Sequence, residues 1–398
     1  MAHKSALEML LPAEAAARLG SGPIDARAYY DPDWFELERE AVFKRSWIHV
    51  GHVCEVAASG GFIRRELEFA RASLLIVRGK DGEIRAFHNV CTHRGTQLTD
   101  AESGKGNTFS CRYHMWTYGS DGALLSAPDF EKFALEKKDC ALKQVQLEVC
   151  GGLIFVNLAK APKQNLRAFL GPIAEELDAL PIARAIEFDE YCFEIDAGWK
   201  IYVDNFQENY HLRFIHPRTG AATVSDENPL GYPTHYGFSG AHRGQTLWRN
   251  PSPPPVPPVQ LMAMTKAMQA GARDGFPTSK TDFKLFPAMF VLGLGGYCFT
   301  HTIYPLSASK TRGVIRYYWP SKAAGASTRF AREYAMAVVR DIHAEDRGVV
   351  EAGQNGLGRG VLEHIHFQEH EVLCRHLNEQ VRACVDEYLA EQAQDKLR

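Results

Sequence analysis

Two close pairs of cysteine and histidine constrain the fold of this 398-residue chain more than any other feature. Cys91 and His93 lie in the segment CTHRG, and Cys111 and His114 lie in the segment CRYHMWTYG. Thiolates and imidazoles at such close spacing commonly bind a metal ion. A zinc finger pairs cysteine with cysteine and histidine with histidine along the chain. Because these pairs are mixed, both cysteines can bind one metal and both histidines another.

The residues around these pairs follow the pattern of short β-strands. Between residues 48 and 158, runs such as SLLIVRG and IRAFHNV alternate with turn signals. KDG and SDG are typical hairpin turns. The pattern predicts a small antiparallel β domain with one cysteine and one histidine in each of two loops, which is the arrangement of a Rieske [2Fe–2S] cluster. A single zinc ion bound by all four side chains is the alternative.

A second candidate metal site lies in the segment GWKIYVDNFQENYHLRFIHP, residues 198–217. It contains Glu208, His211 and His216, and five residues of α-helix turn through about 500°, so the two histidines cannot share one helical face. Both can bind one metal only if the helix is irregular or ends between them. Pro217 indicates a helix end just after the second histidine. Taken alone, this spacing is a weak signal.

The cysteine–histidine motifs resemble those of the Rieske non-haem iron oxygenases, also called aromatic-ring-hydroxylating oxygenases, in their alpha or terminal oxygenase subunit. The second family motif commonly reads C-P-Y-H-G-W, whereas this chain has Arg112 in place of the proline and Met115 in place of the glycine. The resemblance implies a Rieske cluster bound by four residues, which are Cys91, His93, Cys111 and His114.

The second segment resembles the part of the same family that holds a mononuclear iron with two histidines and one carboxylate. Gly198 stands where the family usually has asparagine. The segment HAEDRGVVEAGQNGL, residues 343–357, resembles the late helix that supplies the carboxylate. The resemblance therefore implies that His211, His216 and Asp346 bind Fe(II). The neighbouring acids Asp341 and Glu345 are interpreted as solvated helix charges.

The resemblance also implies roles for residues around the iron. Glu208 would accept hydrogen bonds from His211 and from His114 of the next subunit in a ring-like homotrimer, which would shorten the electron path. Asp204 and Asn205 are predicted to orient ligands, with a capping or turn role as the alternative. The chain has neither a GxGxxG turn nor a flavin motif. Electrons from NAD(P)H would therefore arrive through a separate reductase or ferredoxin, and a small beta subunit is a further potential partner.

The predicted reaction is mono- or dioxygenation of an aromatic or hydrophobic small molecule, as in aromatic hydrocarbon catabolism. The candidate pocket residues, which ordinary core packing also explains, are Phe283, Phe286, Met289, Phe290 and Trp248. The alternative is a monooxygenase or N-demethylase of a quaternary ammonium or N-methyl substrate, because Glu208 in the pattern D-N-x-x-E-x-x-H resembles those members. Two other classes stay open, an electron-transfer Rieske protein with a degenerate second site and a zinc-stabilised binding protein.

The resemblance implies an α+β fold, with the Rieske domain inserted into a catalytic domain in which helices wrap an antiparallel sheet. The predicted parts are a helical segment at 1–45 packing with the catalytic domain, the Rieske domain at 46–160 and the catalytic domain at 161–398. Residues 161–182 are predicted to be helical. A net charge of −3 is not that of a nucleic-acid-binding protein. The N-terminus does not match a signal peptide, so we expect a cytoplasmic protein that binds neither nucleic acid nor membrane.

Overall fold

The computed structural model describes residues 6–217, 219–220, 223–248, 250–276, 281–293 and 296–396. The chain divides into two compact units. The inserted unit is Phe43–Phe169, and the large unit is Met1–Val42 together with Leu170–Arg398. The N-terminal segment therefore belongs with the C-terminal part of the chain, and the predicted boundaries at 45/46 and 160/161 lie close to those of the inserted unit.

The regular elements are as follows. The strands are β1 (Glu8–Leu10), β2 (Ile24–Asp25), β3 (Ile48–His52), β4 (Gly61–Leu67), β5 (Ala72–Arg78), β6 (Ile84–His88), β7 (Ser103–Lys105), β8 (Thr108–Ser110), β9 (Thr117–Gly119), β10 (Leu124–Ser126), β11 (Gln144–Cys150), β12 (Leu153–Asn157), β13 (Glu187–Ile195), β14 (His235–Ser239), β15 (His242–Thr246), β16 (Thr281–Leu285), β17 (Met289–Gly293), β18 (Cys298–Ser307), β19 (Lys310–Trp319) and β20 (His364–Ile365). The helices are α1 (Pro12–Leu19), α2 (Pro32–Glu38), α3 (Leu166–Leu170), α4 (Ile173–Ala179), α5 (Trp199–Gln207), α6 (Leu212–Ile215), α7 (Pro258–Asp274), α8 (Ala326–Leu357) and α9 (Val372–Lys396).

The inserted unit consists of antiparallel sheets. One sheet has the strand order β3-β12-β11-β6-β5-β4-β7, and a smaller one has the order β10-β9-β8. The KDG and SDG turns join β5 to β6 and β9 to β10, and their glycines take positive φ, +87° at Gly82 and +84° at Gly122. Only glycine adopts this backbone conformation without strain, so these turns form as predicted. The first cysteine–histidine pair follows β6, and the second connects β8 to β9.

The large unit is built on one antiparallel sheet with the strand order β1-β14-β15-β16-β17-β18-β19-β13. Helices α5 and α8 pack against each other and against the sheet. Helix α5 contacts β18, and helix α8 contacts β13. Helix α5 begins after Gly198, whose N–H donates to Gln354 Oε1 on α8 at 2.7 Å. A β-carbon at Gly198 would lie 2.5 Å from the Ala308 carbonyl oxygen, so the close approach requires glycine. This architecture confirms the predicted α+β fold.

The prediction of helix at 161–182 is only partly right. The region forms two short helices, α3 and α4, instead of one. They are interrupted at Gly171, which has φ +57°, and Pro172 follows directly. Proline cannot continue a helix because it lacks the N–H donor. In the described ranges, the helices contain no segment that is both long and apolar enough to cross a membrane.

Candidate metal centres and active site

The first cysteine–histidine pair lies in a loop that closes on itself through backbone hydrogen bonds. The Cys91 N–H donates to the Thr96 carbonyl oxygen at 2.8 Å, and the Gly95 N–H donates to the Cys91 carbonyl oxygen at 3.0 Å. Gly95 takes φ +78°, which is a conformation that glycine adopts freely. The loop therefore holds Cys91 and His93 in place through its own backbone.

The second pair lies in a loop with the same backbone pattern. The Cys111 N–H donates to the Trp116 carbonyl oxygen at 2.8 Å, and the Met115 N–H donates to the Cys111 carbonyl oxygen at 2.9 Å. Met115 takes φ +60° and thus occupies the place that Gly95 has in the first loop. The left-handed conformation strains an L-residue with a side chain. The loop keeps its shape although Met115 replaces the usual glycine.

In the folded loops the two cysteine side chains lie next to each other, and so do the two histidine side chains. The thiols of Cys91 and Cys111 are buried and lie close enough to interact. The ring centroids of His93 and His114 are 4.6 Å apart. His93 Nδ1 is buried without a hydrogen-bond partner in the described part of the chain. Two adjacent thiols beside two adjacent imidazoles, one with an orphaned nitrogen, fit a [2Fe–2S] cluster with mixed ligands.

Two aromatic side chains support this candidate cluster site. The indole of Trp116 stacks on the His93 ring, with centroids 4.8 Å apart and planes 10° apart. The hydroxyl oxygen of Tyr118 lies 3.2 Å from Cys91 Sγ, and it accepts a hydrogen bond from the Thr92 N–H at 3.1 Å. The Thr92 hydroxyl lies 3.0 Å from the same oxygen and donates its own proton to a backbone carbonyl oxygen at 2.7 Å, so the Tyr118 proton has two acceptors within reach, Cys91 Sγ and Thr92 Oγ1. Hydrogen bonds to ligand sulfurs are one way in which proteins set the reduction potential of a cluster.

The second candidate site lies where α5 ends and α6 begins. Glu208 follows α5 in an extended conformation, with φ −117° and ψ 161°. His211 precedes the four residues of α6, and His216 follows them. The two histidines thus flank a single helical turn, and the helix is interrupted before the first one. This is the irregularity that their five-residue spacing requires if both are to bind one metal.

Helix α8 brings Asp346 to these two histidines. Asp346 Oδ1 lies 3.5 Å from His211 Nε2 and 3.0 Å from His216 Nε2. The three candidate ligand atoms all lie within 4.8 Å of one another. Asp346 is only 2% exposed, and its Oδ1 is buried without a satisfied hydrogen bond among the described residues. Converging lone pairs with an unsatisfied carboxylate oxygen fit a bound cation. Two histidines and one carboxylate are the ligands typical of non-haem Fe(II).

A glutamate supports each of the two histidines from behind. Glu208 Oε1 bonds to His211 Nδ1, and Glu345 Oε2 lies 2.8 Å from His216 Nδ1. In each ring the nitrogen that faces Asp346 is Nε2, so a proton on Nδ1 leaves the Nε2 lone pair for a metal. The interpretation of Glu345 as a solvated helix charge is wrong, because this carboxylate is hydrogen-bonded to His216. Its position directly before the predicted ligand Asp346 was the available signal.

Asp204 and Asn205 lie on α5, near its C-terminal end. Tyr29 donates its hydroxyl proton to Asp204 Oδ2 at 2.5 Å, and Gln207 Nε2 donates to Asp204 Oδ1 at 2.9 Å. The first of these hydrogen bonds ties α5 to the N-terminal segment, the second lies within α5, and neither involves the ligand histidines. Burial is the largest influence on Asp204 and raises its pKa to about 7. Asn205 Nδ2 is buried with no hydrogen-bond partner among the described residues.

An aromatic wall stands on the sheet face that α5 covers. Phe290 on β17 and His301 on β18 are directly paired across the strands. The Phe206 ring on α5 lies 5.8 Å from Phe290 and 4.8 Å from His301, between centroids. Tyr202 Oη lies 3.2 Å from His301 Nε2. His301 is fully buried, and this burial lowers its pKa to about 3, so the imidazole is neutral at neutral pH.

The wall extends to α8, next to the candidate iron ligands. His343 lies one helical turn before Asp346, and its ring centroid is 3.6 Å from that of Phe193 on β13. Burial lowers the pKa of His343 to about 4. The aromatic wall is therefore composed of Phe193, Tyr202, Phe206, Phe290, His301 and His343.

Strand register separates the five predicted pocket residues. Of these, Phe290 belongs to the aromatic wall. Phe283 pairs with Val291, and Met289 lies next to Phe290 on β17, so alternation directs both to the opposite face of the sheet. Phe283 and Met289 therefore lie on the face of the sheet opposite to the aromatic wall. Phe286 is buried directly after β16, and Trp248 is half-buried after β15.

The two units match two known sequence families. The Rieske [2Fe–2S] domain matches residues 46–146, and the catalytic domain of the ring-hydroxylating alpha subunit matches residues 181–387, just over half of the chain. A cluster-binding domain combined with a two-histidine, one-carboxylate site defines the class of Rieske-type oxygenase subunits. This chain belongs to the family of ring-hydroxylating alpha subunits, as its motifs predict.

Several curated proteins resemble parts of the chain. The glycine betaine monooxygenase oxygenase subunit of Pseudomonas aeruginosa is 34% identical over 48% of this chain and 43% of its own length. The carnitine monooxygenase oxygenase subunit of Escherichia coli is 37% identical over 49% and 52%. The alpha subunit of 2-aminobenzenesulfonate 2,3-dioxygenase from Alcaligenes sp. is 34% identical over 54% and 55%. The chain thus spans about half the length of the curated relatives it matches.

Solved structures match nearly the whole chain. The quaternary ammonium Rieske monooxygenase CntA in complex with an inhibitor has a TM-score of 0.74 and 25% identity, over 94% of this chain and 99% of that one. Naphthalene 1,2-dioxygenase from Rhodococcus sp. bound to indole has a TM-score of 0.72 over 92% and 95%. At 21% identity, the second similarity concerns the fold alone.

Proposed function

We propose that this chain is the terminal oxygenase component of a multicomponent Rieske oxygenase. It uses O2, together with electrons that originate from NAD(P)H and arrive through a separate reductase or ferredoxin, to hydroxylate a small molecule. The observation that carries the proposal is the convergence of His211, His216 and Asp346 beside the aromatic wall, in a chain that also has a Rieske domain. An electron-transfer protein does not need such a second site.

The ligands are assigned residue by residue. The mononuclear iron is held by His211, His216 and Asp346, and the cluster by Cys91, His93, Cys111 and His114. When bound, the cluster supplies single electrons and the ferrous iron activates O2 next to the substrate. The chain itself directs two Nε2 lone pairs and one buried carboxylate to a common point.

Glu208 has a positioning role at the mononuclear site, where it accepts the Nδ1 proton of His211. Glu208 accepts local hydrogen bonds, from His211 and from the Tyr210 N–H. The family resemblance adds a proposed homotrimer in which Glu208 also accepts a hydrogen bond from His114 of the next subunit. A small beta subunit and a cytoplasmic location complete the proposal.

The wall favours an aromatic or otherwise hydrophobic substrate. Phe193, Phe206 and Phe290 supply apolar surface, and the neutral imidazoles of His301 and His343 supply uncharged polar atoms. His301 Nδ1 and His343 Nε2 are buried without hydrogen-bond partners among the described residues. A polar substituent on the substrate or a bound water would satisfy them, because an unpaired buried polar atom costs about 1–3 kcal/mol.

A quaternary ammonium or N-methyl compound is the second candidate substrate. The relatives that act on glycine betaine and carnitine support it, as does the glutamate at position 208. Aromatic rings attract such cations through their π-faces.

The proposal is tested first by metal analysis of anaerobically purified protein. We expect about three irons and two acid-labile sulfides per chain, with a Rieske-type EPR signal after dithionite reduction. Two irons that stay at two after ferrous iron is added, without substrate-dependent O2 uptake, would indicate an electron carrier instead. Zinc without sulfide would overturn the proposal.

The substrate is then identified by O2 uptake with a compatible reductase. The panel contains naphthalene, indole and 2-aminobenzenesulfonate as aromatic compounds, and glycine betaine, carnitine and γ-butyrobetaine as quaternary ammonium compounds. Coupled uptake with ¹⁸O incorporation into an aromatic product supports the first candidate. Coupled turnover of a quaternary ammonium compound alone would replace it with the second.

A further inference from the structure

We infer that Glu345 is a positioning residue of the mononuclear site, which fixes the orientation and tautomer of His216 and thereby determines how tightly the site holds its metal. This inference rests on the metal site of the proposed function. It assigns a role to a residue that lies beside the predicted ligands but contributes no ligand atom of its own.

The His216 ring has a carboxylate at each of its two nitrogens. Its Nδ1 lies 2.8 Å from Glu345 Oε2, and its Nε2 lies 3.0 Å from Asp346 Oδ1. A neutral imidazole carries one proton. A carboxylate can only accept, so Glu345 places that proton on Nδ1 and leaves the Nε2 lone pair for the metal. The ring is 3% exposed, so water has little opportunity to replace Glu345 as the acceptor.

Glu345 is itself held in place by a second hydrogen bond. The hydroxyl of Thr219 donates to the same oxygen, Glu345 Oε2, at 2.6 Å. The turn that carries Thr219 is closed by the Gly220 N–H, which donates to the His216 carbonyl oxygen at 2.9 Å. The Glu345 carboxylate therefore accepts hydrogen bonds from the His216 ring and from the Thr219 hydroxyl, and these two bonds attach the turn to α8.

Helix geometry explains why one helix serves both purposes. Successive residues in an α-helix point about 100° apart. Asp346 therefore points to the ligand side of the His216 ring, while its neighbour Glu345 reaches the opposite nitrogen. Both nitrogens of His216 are thus controlled from a single rigid element.

The two glutamates differ in how they reach their histidines. Glu208 lies three residues before His211 and accepts backbone hydrogen bonds from the same turn, including one from the His211 N–H at 3.3 Å. Glu345 and His216 are 129 residues apart in the sequence. The orientation of His211 is therefore set locally, whereas that of His216 depends on the contact with α8. Loss of Glu345 should loosen the second ligand and leave the first one in place.

The experiment measures metal affinity in the full-length chain with its Rieske cluster intact. The mononuclear metal is removed with a chelator, and Co²⁺ is titrated anaerobically into the wild type, Glu345→Ala, Glu345→Gln and Thr219→Val. We expect Glu345→Ala to bind Co²⁺ about 10–100-fold more weakly, the usual cost of losing such a hydrogen bond. Glu345→Gln should lose less, because its amide oxygen still accepts the Nδ1 proton. Thr219→Val should have the smallest effect.

Asp341→Asn is the matched control, since Asp341 is exposed on the same helix. It should bind Co²⁺ like the wild type. Wild-type affinity in a folded Glu345→Ala protein would overturn the inference. If Glu345→Ala fails to fold, Glu345→Leu, which keeps the bulk of the side chain but cannot accept the Nδ1 hydrogen bond, is titrated in its place, and wild-type affinity in that variant would overturn the inference equally. If the wild type itself binds no Co²⁺ at this site, the proposed function fails instead, and the two failures are thereby distinguished.

Discussion

The two candidate metal centres are assembled in opposite ways. The cluster site uses residues from Cys91 to His114, in two loops that close through their own backbone hydrogen bonds. The mononuclear site uses His211, His216 and Asp346, and the carboxylate comes from a distant helix. The first centre is therefore largely independent of contacts far along the chain. The second centre exists only when α8 packs against the segment that follows α5.

The side chains that support the centres differ as well. The cluster site has a hydroxyl, Tyr118, near a ligand sulfur and an indole, Trp116, against a ligand ring. The mononuclear site has two carboxylates, Glu208 and Glu345, behind its histidines. Carboxylates favour a cation and fix the proton position on each ring. Neutral groups around a cluster adjust its potential without adding charge.

The largest expected effect comes from removing the tertiary ligand. Asp346→Ala should reduce turnover to background and empty the mononuclear site, because two histidines alone hold Fe(II) weakly. The Rieske absorption should remain unchanged, since the cluster loops close independently. Iron analysis and visible spectroscopy check this result. Full retention of three irons would mean that another carboxylate holds the mononuclear iron.

The next largest effect is expected at Glu208. Glu208→Gln should keep both metals but lower turnover by about a hundredfold, because the amide keeps the His211 hydrogen bond and loses the charge. Steady-state oxygenation and iron content measure the two effects separately. Loss of the mononuclear iron in this variant would instead indicate that Glu208 holds the metal.

The stability of the large unit should depend on pH through Asp204, which lies on α5, the helix before the mononuclear site. The pKa of Asp204 is raised from 3.8 to about 7 by burial, so the folded chain binds a proton that the unfolded chain releases. The contribution of this bound proton to the free energy of unfolding is fully present below pH 3.8, and it is lost as the pH rises through 7. Asp204→Asn cannot titrate. The free energy of unfolding of the wild type should therefore fall relative to this variant between pH 5 and pH 8.

Urea unfolding at several pH values measures this difference. Asp341→Asn serves as the control, because this exposed residue lies in solvent and its replacement should leave the pH profile unchanged. Parallel pH profiles for the wild type and Asp204→Asn would mean that Asp204 is ionised in the folded chain throughout this range.

A fourth prediction exploits the likeness of the two cluster loops. Met115→Gly should stabilise the inserted unit by about 0.5–1 kcal/mol, since relief of the left-handed strain exceeds the added entropy of glycine in the unfolded chain. Gly95→Ala is the matched control with the opposite sign, because its φ is +78° and no atom crowds its β-carbon position. Thermal unfolding with the cluster intact measures both. A loss of stability in Met115→Gly would contradict the equivalence of the loops.

The smallest expected effect is on the cluster potential. Tyr118→Phe removes the hydroxyl near Cys91 Sγ and should lower the reduction potential by roughly 20–60 mV, the equivalent of one net hydrogen bond for one electron. Tyr113→Phe is the control, because the Tyr113 hydroxyl bonds to Arg94 and not to a ligand sulfur. Redox titration followed by EPR distinguishes them. Equal potentials in both variants would remove Tyr118 from the description of this centre.

Features that depend on neighbouring residues could be predicted from the sequence alone. The paired cysteines and histidines and the hairpin turns at Gly82 and Gly122 are all local. Their cause is the restricted backbone of a few residues, which a pattern in the sequence reports directly. The α+β fold and the family followed from motifs of the same kind.

Contacts between side chains far apart in the sequence could not be predicted and are seen only in the folded chain. The sequence indicated only a solvated helix charge at Glu345, whereas in the structure α8 places this carboxylate next to His216. Asp204 accepts a hydrogen bond from Tyr29, which belongs to the N-terminal segment. Strand register directed Phe290 to the aromatic wall and its neighbour Met289 to the other face. Such outcomes depend on packing between elements far apart in sequence, because alternation and helical spacing define faces but not what each face will contact.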